Sequence, residues 1–134
     1  MSDFILDKCL LIDDTMIDRF IHGKLLGHYK IAQSIDECSG GKEALVYLEA
    51  AIISGNVPDL ILLDLMMPEM DGFEFLRPYH TLIGKSAKKP LLFMVSSTED
   101  ERDINRAKAN NHIIKLLRKP LRPEYLIDLI KTRI

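Results

Sequence analysis

The sequence predicts an α/β protein of successive βα units built on one parallel sheet. Three observations carry that expectation. Short apolar runs alternate with stretches of helical periodicity, the pattern of successive βα units. Four of those runs end in residues of matching chemistry: Cys9-Leu10-Leu11-Ile12 in Asp13-Asp14, Leu60-Ile61-Leu62-Leu63 in Asp64, Leu91-Leu92-Phe93-Met94-Val95 in Ser96, and the stretch from Ile113 to Arg118 in Lys119-Pro120. The 134 residues suit one domain, with no repeat, low-complexity tract or linker.

The elements follow in order. Strand 1 is expected at about 8–13 and helix 1 at about 15–27, where Ile17, Phe20, Ile21 and Leu25 recur at helical spacing and Gly27 stops the helix. Strand 2 falls at about 31–37. Helix 2, about 41–53, aligns Ala44, Leu45, Leu48, Ala51 and Ile52. The loop Ser54-Gly55-Asn56-Val57-Pro58 leads into strand 3 at about 59–64. Met66 to Gly72 is a loop, marked by Pro68 and Asp71-Gly72. Helix 3 begins near Phe73, and Pro78 should end or kink it early. Strand 4 covers about 90–96, helix 4 about 99–110, strand 5 about 113–118 and helix 5 about 122–134, with Pro123 in its first turn. Helix 4 offers little beyond Ile104 and Ala107 to bury, so it is weakly anchored and a candidate moving part.

Composition narrows the function classes. Hydrophobic residues make up 47% and charged residues 28%, ordinary for a soluble globular chain. A net charge of −2 gives no footprint for nucleic acid or an anionic membrane. No apolar stretch approaches the ~20 residues of a spanning helix, and the acidic N-terminus lacks the basic start of a signal peptide. Cys9 and Cys38 read as reduced core thiols, which places the chain in the cytoplasm. His22, His28, His80 and His112 share no spacing and read as isolated surface residues.

Parallel strands put their carboxyl ends at one sheet edge, where ligands bind in open α/β folds. Asp13, Asp14, Asp64, Ser96 and Lys119 would meet there. Adjacent residues in a straight strand face opposite ways, so Asp13 and Asp14 can both reach the crevice only where the strand turns into its loop. Three carboxylates repel unless a cation lies between them, and hard oxygen ligands suit Mg²⁺. Asp14 alone would read equally as a helix N-cap. Asp64 is either a metal ligand only or a nucleophile that forms an acyl phosphate. Lys119 would pair with a phosphate oxygen as a point charge, and Ser96 could donate its hydroxyl to another.

The motifs Leu10-Leu11-Ile12-Asp13-Asp14, Leu62 through Gly72, Met94-Val95-Ser96-Ser97 and Lys119-Pro120 make the chain resemble the receiver domain of two-component response regulators, from about Lys8 to Ile134, in its stand-alone form. The resemblance implies a flavodoxin-like, doubly wound (βα)5 three-layer sandwich with strand order 2-1-3-4-5. It makes residues 1–134 a single receiver with no output domain. It implies that Asp64 is the phosphoacceptor and that Mg²⁺ is bound by Asp13, Asp14, Asp64 and the backbone carbonyl of Met66. Ser96 is then the signalling hydroxyl, Lys119 the phosphate contact, and the Lys119-Pro120 bond cis. The phosphodonor would be a histidine kinase or phosphotransfer protein. The downstream protein would dock on the face of helix 4, strand 5 and helix 5.

One departure stands out. Receivers often carry an aromatic residue three positions before the Lys, and here that residue is Leu116. Helix 4 and strand 5 are still expected to shift, without an aromatic rotamer change. Two rival classes share parts of the pattern. An aspartyl phosphatase would want a second Asp two residues past Asp64, where Met66 stands, and a constitutive binding module would have no need of all five chemical positions.

Overall fold

The computed structural model describes residues 3–134. The elements alternate without exception: β1 (Leu6–Ile12), α1 (Met16–His28), β2 (Ala32–Cys38), α2 (Gly41–Ser54), β3 (Leu60–Asp64), α3 (Gly72–Ile83), β4 (Leu91–Ser96), α4 (Glu101–Ala109), β5 (Leu116–Arg118) and α5 (Pro123–Lys131). The strands form one sheet in the order β2-β1-β3-β4-β5, and every neighbouring pair is parallel. Cys9 lies opposite Leu60, Asp64 opposite Val95 and Ser96 opposite Arg118, so the carboxyl ends share one edge. This is the βα alternation on a parallel sheet that the periodicity predicts, in the three-layer form and strand order that the resemblance implies.

The sheet separates two apolar cores. One gathers Leu10, Ile12, Ile61 and Leu63 with Ala44 and Leu48 of α2, Phe75 and Tyr79 of α3, and Ala107 of α4. The other gathers Cys9, Leu11, Leu60 and Leu62 with Leu26 of α1 and with Leu126 and Ile130 of α5. Alternate residues of β1 and β3 point into opposite cores, as a strand buried on both faces requires. Cys9 and Cys38 are free and buried. Burial pushes the Cys38 thiol up to about 12, which leaves it unreactive.

Several boundaries differ from expectation for physical reasons. β1 ends at Ile12, so Asp13 and Asp14 both lie in the loop, free of the strand's alternation. α3 runs through Pro78 to Ile83. Its start is held by a capping box, in which Asp71 accepts from the Glu74 N–H and Glu74 accepts from the Asp71 N–H. Burial of Phe73, Phe75, Leu76, Tyr79 and Ile83 then offsets the roughly 3 kcal/mol of an interior proline. α4 begins only at Glu101, because Asp100 caps it by accepting from the Arg102 N–H. β5 is cut to three residues by the turn ahead of it, where the Asn110 side chain accepts from the His112 N–H.

The largest correction concerns α1. Met16, Ile17 and Phe20 are 73%, 73% and 63% exposed, and Ile21 is exposed as well, so most of the apolar stripe faces solvent, while Leu25 packs against the core. The buried residues of α1 are His22 and Leu26. Nor is every histidine isolated: His22 is buried, and the His80 and His112 rings meet with Nδ1 and Nε2 2.8 Å apart.

Candidate functional site

Each strand end delivers one part of the site. Leaving β1, the Asp13 N–H donates to the Cys38 carbonyl of the neighbouring strand at 3.1 Å. One Asp13 oxygen accepts from the Thr15 N–H at 3.0 Å and the Thr15 hydroxyl at 3.2 Å. That Asx-type turn orients the carboxylate and leaves its Oδ2 for the crevice. Thr15, not Asp14, occupies the N-cap position of α1, and the exposed Asp14 carboxylate is free to face the crevice. Asp64 closes the fully buried strand β3 at 4% exposure.

Lys119 binds the cluster together. Its Nζ lies 3.0 Å from Asp13 Oδ2, 2.9 Å from Asp18 Oδ2 and 3.1 Å from Asp64 Oδ1. It follows β5 directly, its N–H donates to the Ser96 carbonyl at 3.0 Å, and the Lys119-Pro120 bond is cis. Ser96 is buried, and its hydroxyl oxygen accepts from the Thr98 N–H at 3.1 Å. With that acceptor site filled, the hydroxyl proton can be directed to another oxygen in the crevice.

The electrostatics follow from crowding. Burial first, and then the Asp13 charge, push the Asp64 carboxyl up to about 7, against the pull of Lys119. Burial works against the Lys119 charge, yet its hydrogen bonds to Asp18 and Asp13, with the field of Asp64, hold the ammonium above its ordinary range. One oxygen each of Asp13, Asp14 and Asp64 lie within 4.8 Å of one another. Direct ligands of one Mg²⁺ lie at most about 4.2 Å apart, so small rotations or one bridging water would complete the set.

Sequence reasoning missed Asp18 and His22. Asp18 lies in the first turn of α1 on its inward face, and hydrogen bonds from Lys119 and Thr15 lower its carboxyl below the usual range. Next along that face, His22 is held neutral by burial and by the Lys119 charge. Arg19 of the same helix donates to the Asp13 carbonyl at 2.6 Å and pairs with Glu37 at 2.9 Å. The available signal was the polar set at spacings of three and four, which the apolar stripe on the other face overshadowed.

Residues 9–131 match the model of the response regulator receiver domain. The chain belongs to that family. The receiver is 37% identical to a response regulator receiver protein from Dyadobacter fermentans, with a TM-score of 0.83 over 93% of this chain and 95% of that one. It is 34% identical over 113 residues to the gliding motility regulatory protein of Myxococcus xanthus, covering 81% of this chain and 13% of that protein. It is 33% identical to the sensor histidine kinase CheAY of Helicobacter pylori, covering 99% of this chain and 15% of that protein. The receiver thus spans a small part of these curated relatives. No helix among the described residues is long and apolar enough to cross a membrane.

Proposed function

We propose that the chain is the phosphoacceptor of a two-component relay, acting as a switch that regulates a protein partner. A single observation carries this: one ammonium, on Lys119, gathers Asp13, Asp18 and Asp64 at a sheet edge where three carboxylate oxygens can also surround a divalent ion. In this reading Asp64 is the nucleophile. Its carboxylate oxygen attacks phosphorus, the P–N bond of a phosphohistidine on a histidine kinase or phosphotransfer protein breaks, and the imidazole leaves. Asp13, Asp14, Asp64 and the Met66 carbonyl would hold Mg²⁺, which supplies charge neutralisation on the phosphoryl oxygens. Lys119 turns from the carboxylates to one phosphoryl oxygen, and Ser96 donates its hydroxyl to another. The whole of residues 1–134 would work as one receiver unit. The two buried free thiols suit the reducing cytoplasm.

Readout through α4, β5 and α5 is supported by the space beside Ser96. A cavity of about 330 Å³, lined by Ser96, Thr98, Ile104 and Leu116 among others, leaves room for these side chains to close on a phosphorylated Asp64. α4 buries only Ala107, so a shift there breaks few contacts. Met66 supports a switch over a phosphatase, since its exposed thioether stands where a general acid would be needed and has no proton to give.

Acetyl phosphate with Mg²⁺ tests the proposal. The chain is expected to gain the mass of one phosphoryl group, and to gain none after Asp64→Asn or with the metal chelated. Label retained by the Asn variant would refute Asp64 as the acceptor.

The outward apolar stripe of α1 begins beside Asp14 and would serve as the docking strip for the donor, continuous with the reactive edge. Phe20→Ala is expected to slow transfer from a phosphohistidine donor about tenfold, as an interface aromatic lost from its pocket does. Labelling by acetyl phosphate should stay unchanged, because the Phe20 side chain is exposed on the outer face of α1. Equal slowing with both donors would remove α1 from the docking surface.

A further inference from the structure

Away from Asp64, on the flank where α3 faces α4, lies a second cavity of about 580 Å³. Phe73 and Leu76 of α3 supply its apolar floor, and its walls carry Arg77 and His80 of α3, Arg106 of α4 and His112 of the turn into β5. No carboxylate lines it, although the chain carries 20 acidic residues against 18 basic ones. Nearby carboxylates are engaged elsewhere: Glu74 accepts from the Asp71 N–H at 3.0 Å, and Asp103 accepts from the Thr98 hydroxyl at 2.8 Å. Among the described residues neither Arg77 nor Arg106 is paired with an acid. The Arg106 guanidinium rests 4.3 Å from the Phe73 ring centre, a contact that fixes its plane without using its N–H donors.

The histidines add structure to this wall. His80 Nδ1 and His112 Nε2 share one hydrogen bond of 2.8 Å, so one ring donates and the other accepts. The His112 ring also meets Tyr79 edge-on at 5.4 Å between centroids. These contacts hold α3 and the turn into β5 at a set separation and leave one nitrogen of each imidazole outside the shared bond. Burial, followed by the positive fields of His80 and Lys89, makes the His112 ring harder to protonate.

We propose that this cavity is a second ligand site, taking a small phosphate-bearing organic anion. Two guanidiniums offer forked donors of the geometry phosphate oxygens accept bidentately. The imidazole that accepts the shared bond keeps one further N–H donor on its other nitrogen, and Phe73 and Leu76 supply an apolar floor for the organic part. The volume lies in the range of small-molecule sites. An acidic peptide fits less well, because the charges surround one cavity instead of following an extended row. Arg106 and His112 belong to α4 and the turn after it, so a ligand bridging them to α3 would brace the element that readout must move.

The test is a titration of the full chain, without Mg²⁺, with ADP and with inorganic pyrophosphate, followed by amide NMR. Saturable shifts are expected at Arg77, Arg106, Asn111 and His112, and affinity should fall at least about tenfold in Arg77→Gln/Arg106→Gln. Arg77→Gln alone, which leaves the contact between Arg106 and Phe73 in place, should still lose several-fold. Four results would each overturn the site: no saturable shift, shifts centred on Asp64, unaltered affinity in the double variant, or a Glu-rich peptide binding more tightly than either phosphate.

Discussion

Replacing Lys119 with methionine is expected to destabilise the metal-free receiver by about 3–5 kcal/mol, the usual cost of removing one partner from a buried charge set. The ammonium contacts Asp13, Asp18 and Asp64 at 2.9–3.1 Å, and the Asp13 and Asp64 side chains are only 7% and 4% exposed. Methionine fills similar volume but leaves those carboxylates facing one another across a water-poor crevice. The loss should depend on pH with a definite sign. Asp64 already sits at about 7 through burial and the Asp13 charge, and it rises further once Lys119 is gone. A carboxyl whose folded pKa is raised binds its proton more tightly in the folded chain than in the unfolded one. Stability therefore recovers as pH falls below the folded value, and the deficit is largest above about pH 8. Mg²⁺ should recover much of it at high pH by replacing the missing cation. Thermal melts at several pH values, with and without the metal, check each part. A variant as stable as the parent at pH 8 would mean that Lys119 does not neutralise the cluster.

Gly72→Ala is expected to be comparably severe for a different reason. A Cβ built on Gly72 would lie 2.9 Å from the Asp64 carbonyl oxygen, 2.9 Å from Met94 Cε and 3.1 Å from Leu65 Cα. Met94 could move, but the other two atoms are backbone at the end of β3. The Gly72 N–H also donates to the Leu65 carbonyl at 2.9 Å, which seats the loop against that strand. Adding one methyl group should cost about 1–3 kcal/mol of stability by overpacking. Because it displaces the segment that aims Asp64, phosphorylation by acetyl phosphate should fall by up to about a hundredfold, the cost of an ångström-scale misplacement. Chemical denaturation and a single-turnover labelling rate measure the two effects. An Ala variant that labels at the parental rate would show that the loop is not seated through Gly72.

Most of the candidate site was legible in the sequence because each of its expected residues follows an apolar strand run, and parallel strands end together. The departures lie where tertiary context overrode a local rule. Pro78 reads as a helix breaker, yet α3 anchors enough aromatic surface on both sides to carry it. α1 reads as amphipathic with Ile17, Phe20 and Ile21 inward, yet its inward face carries Asp18, Arg19 and His22, which hold Lys119, the Asp13 carbonyl and the space behind them. Hydrophobic periodicity gives the apolar stripe and its period but says nothing of which side faces the sheet when the inward residues serve a site. The pairing of His80 with His112 spans 32 positions, and no spacing rule reaches that far.

The five-stranded sheet also acts as a partition. Leu11, Leu60 and Leu62 pack with α1 and α5, whereas Leu10, Ile12, Ile61 and Leu63 pack with α2, α3 and α4, and backbone ladders insulate the two sets. Substitutions on opposite sides share no packed neighbours, so their energetic effects should add. The flank presenting Phe20 and the flank presenting Arg77 and Arg106 can accordingly be rebuilt one at a time, giving a protein engineer separate handles on the proposed donor strip and on the proposed anion cavity.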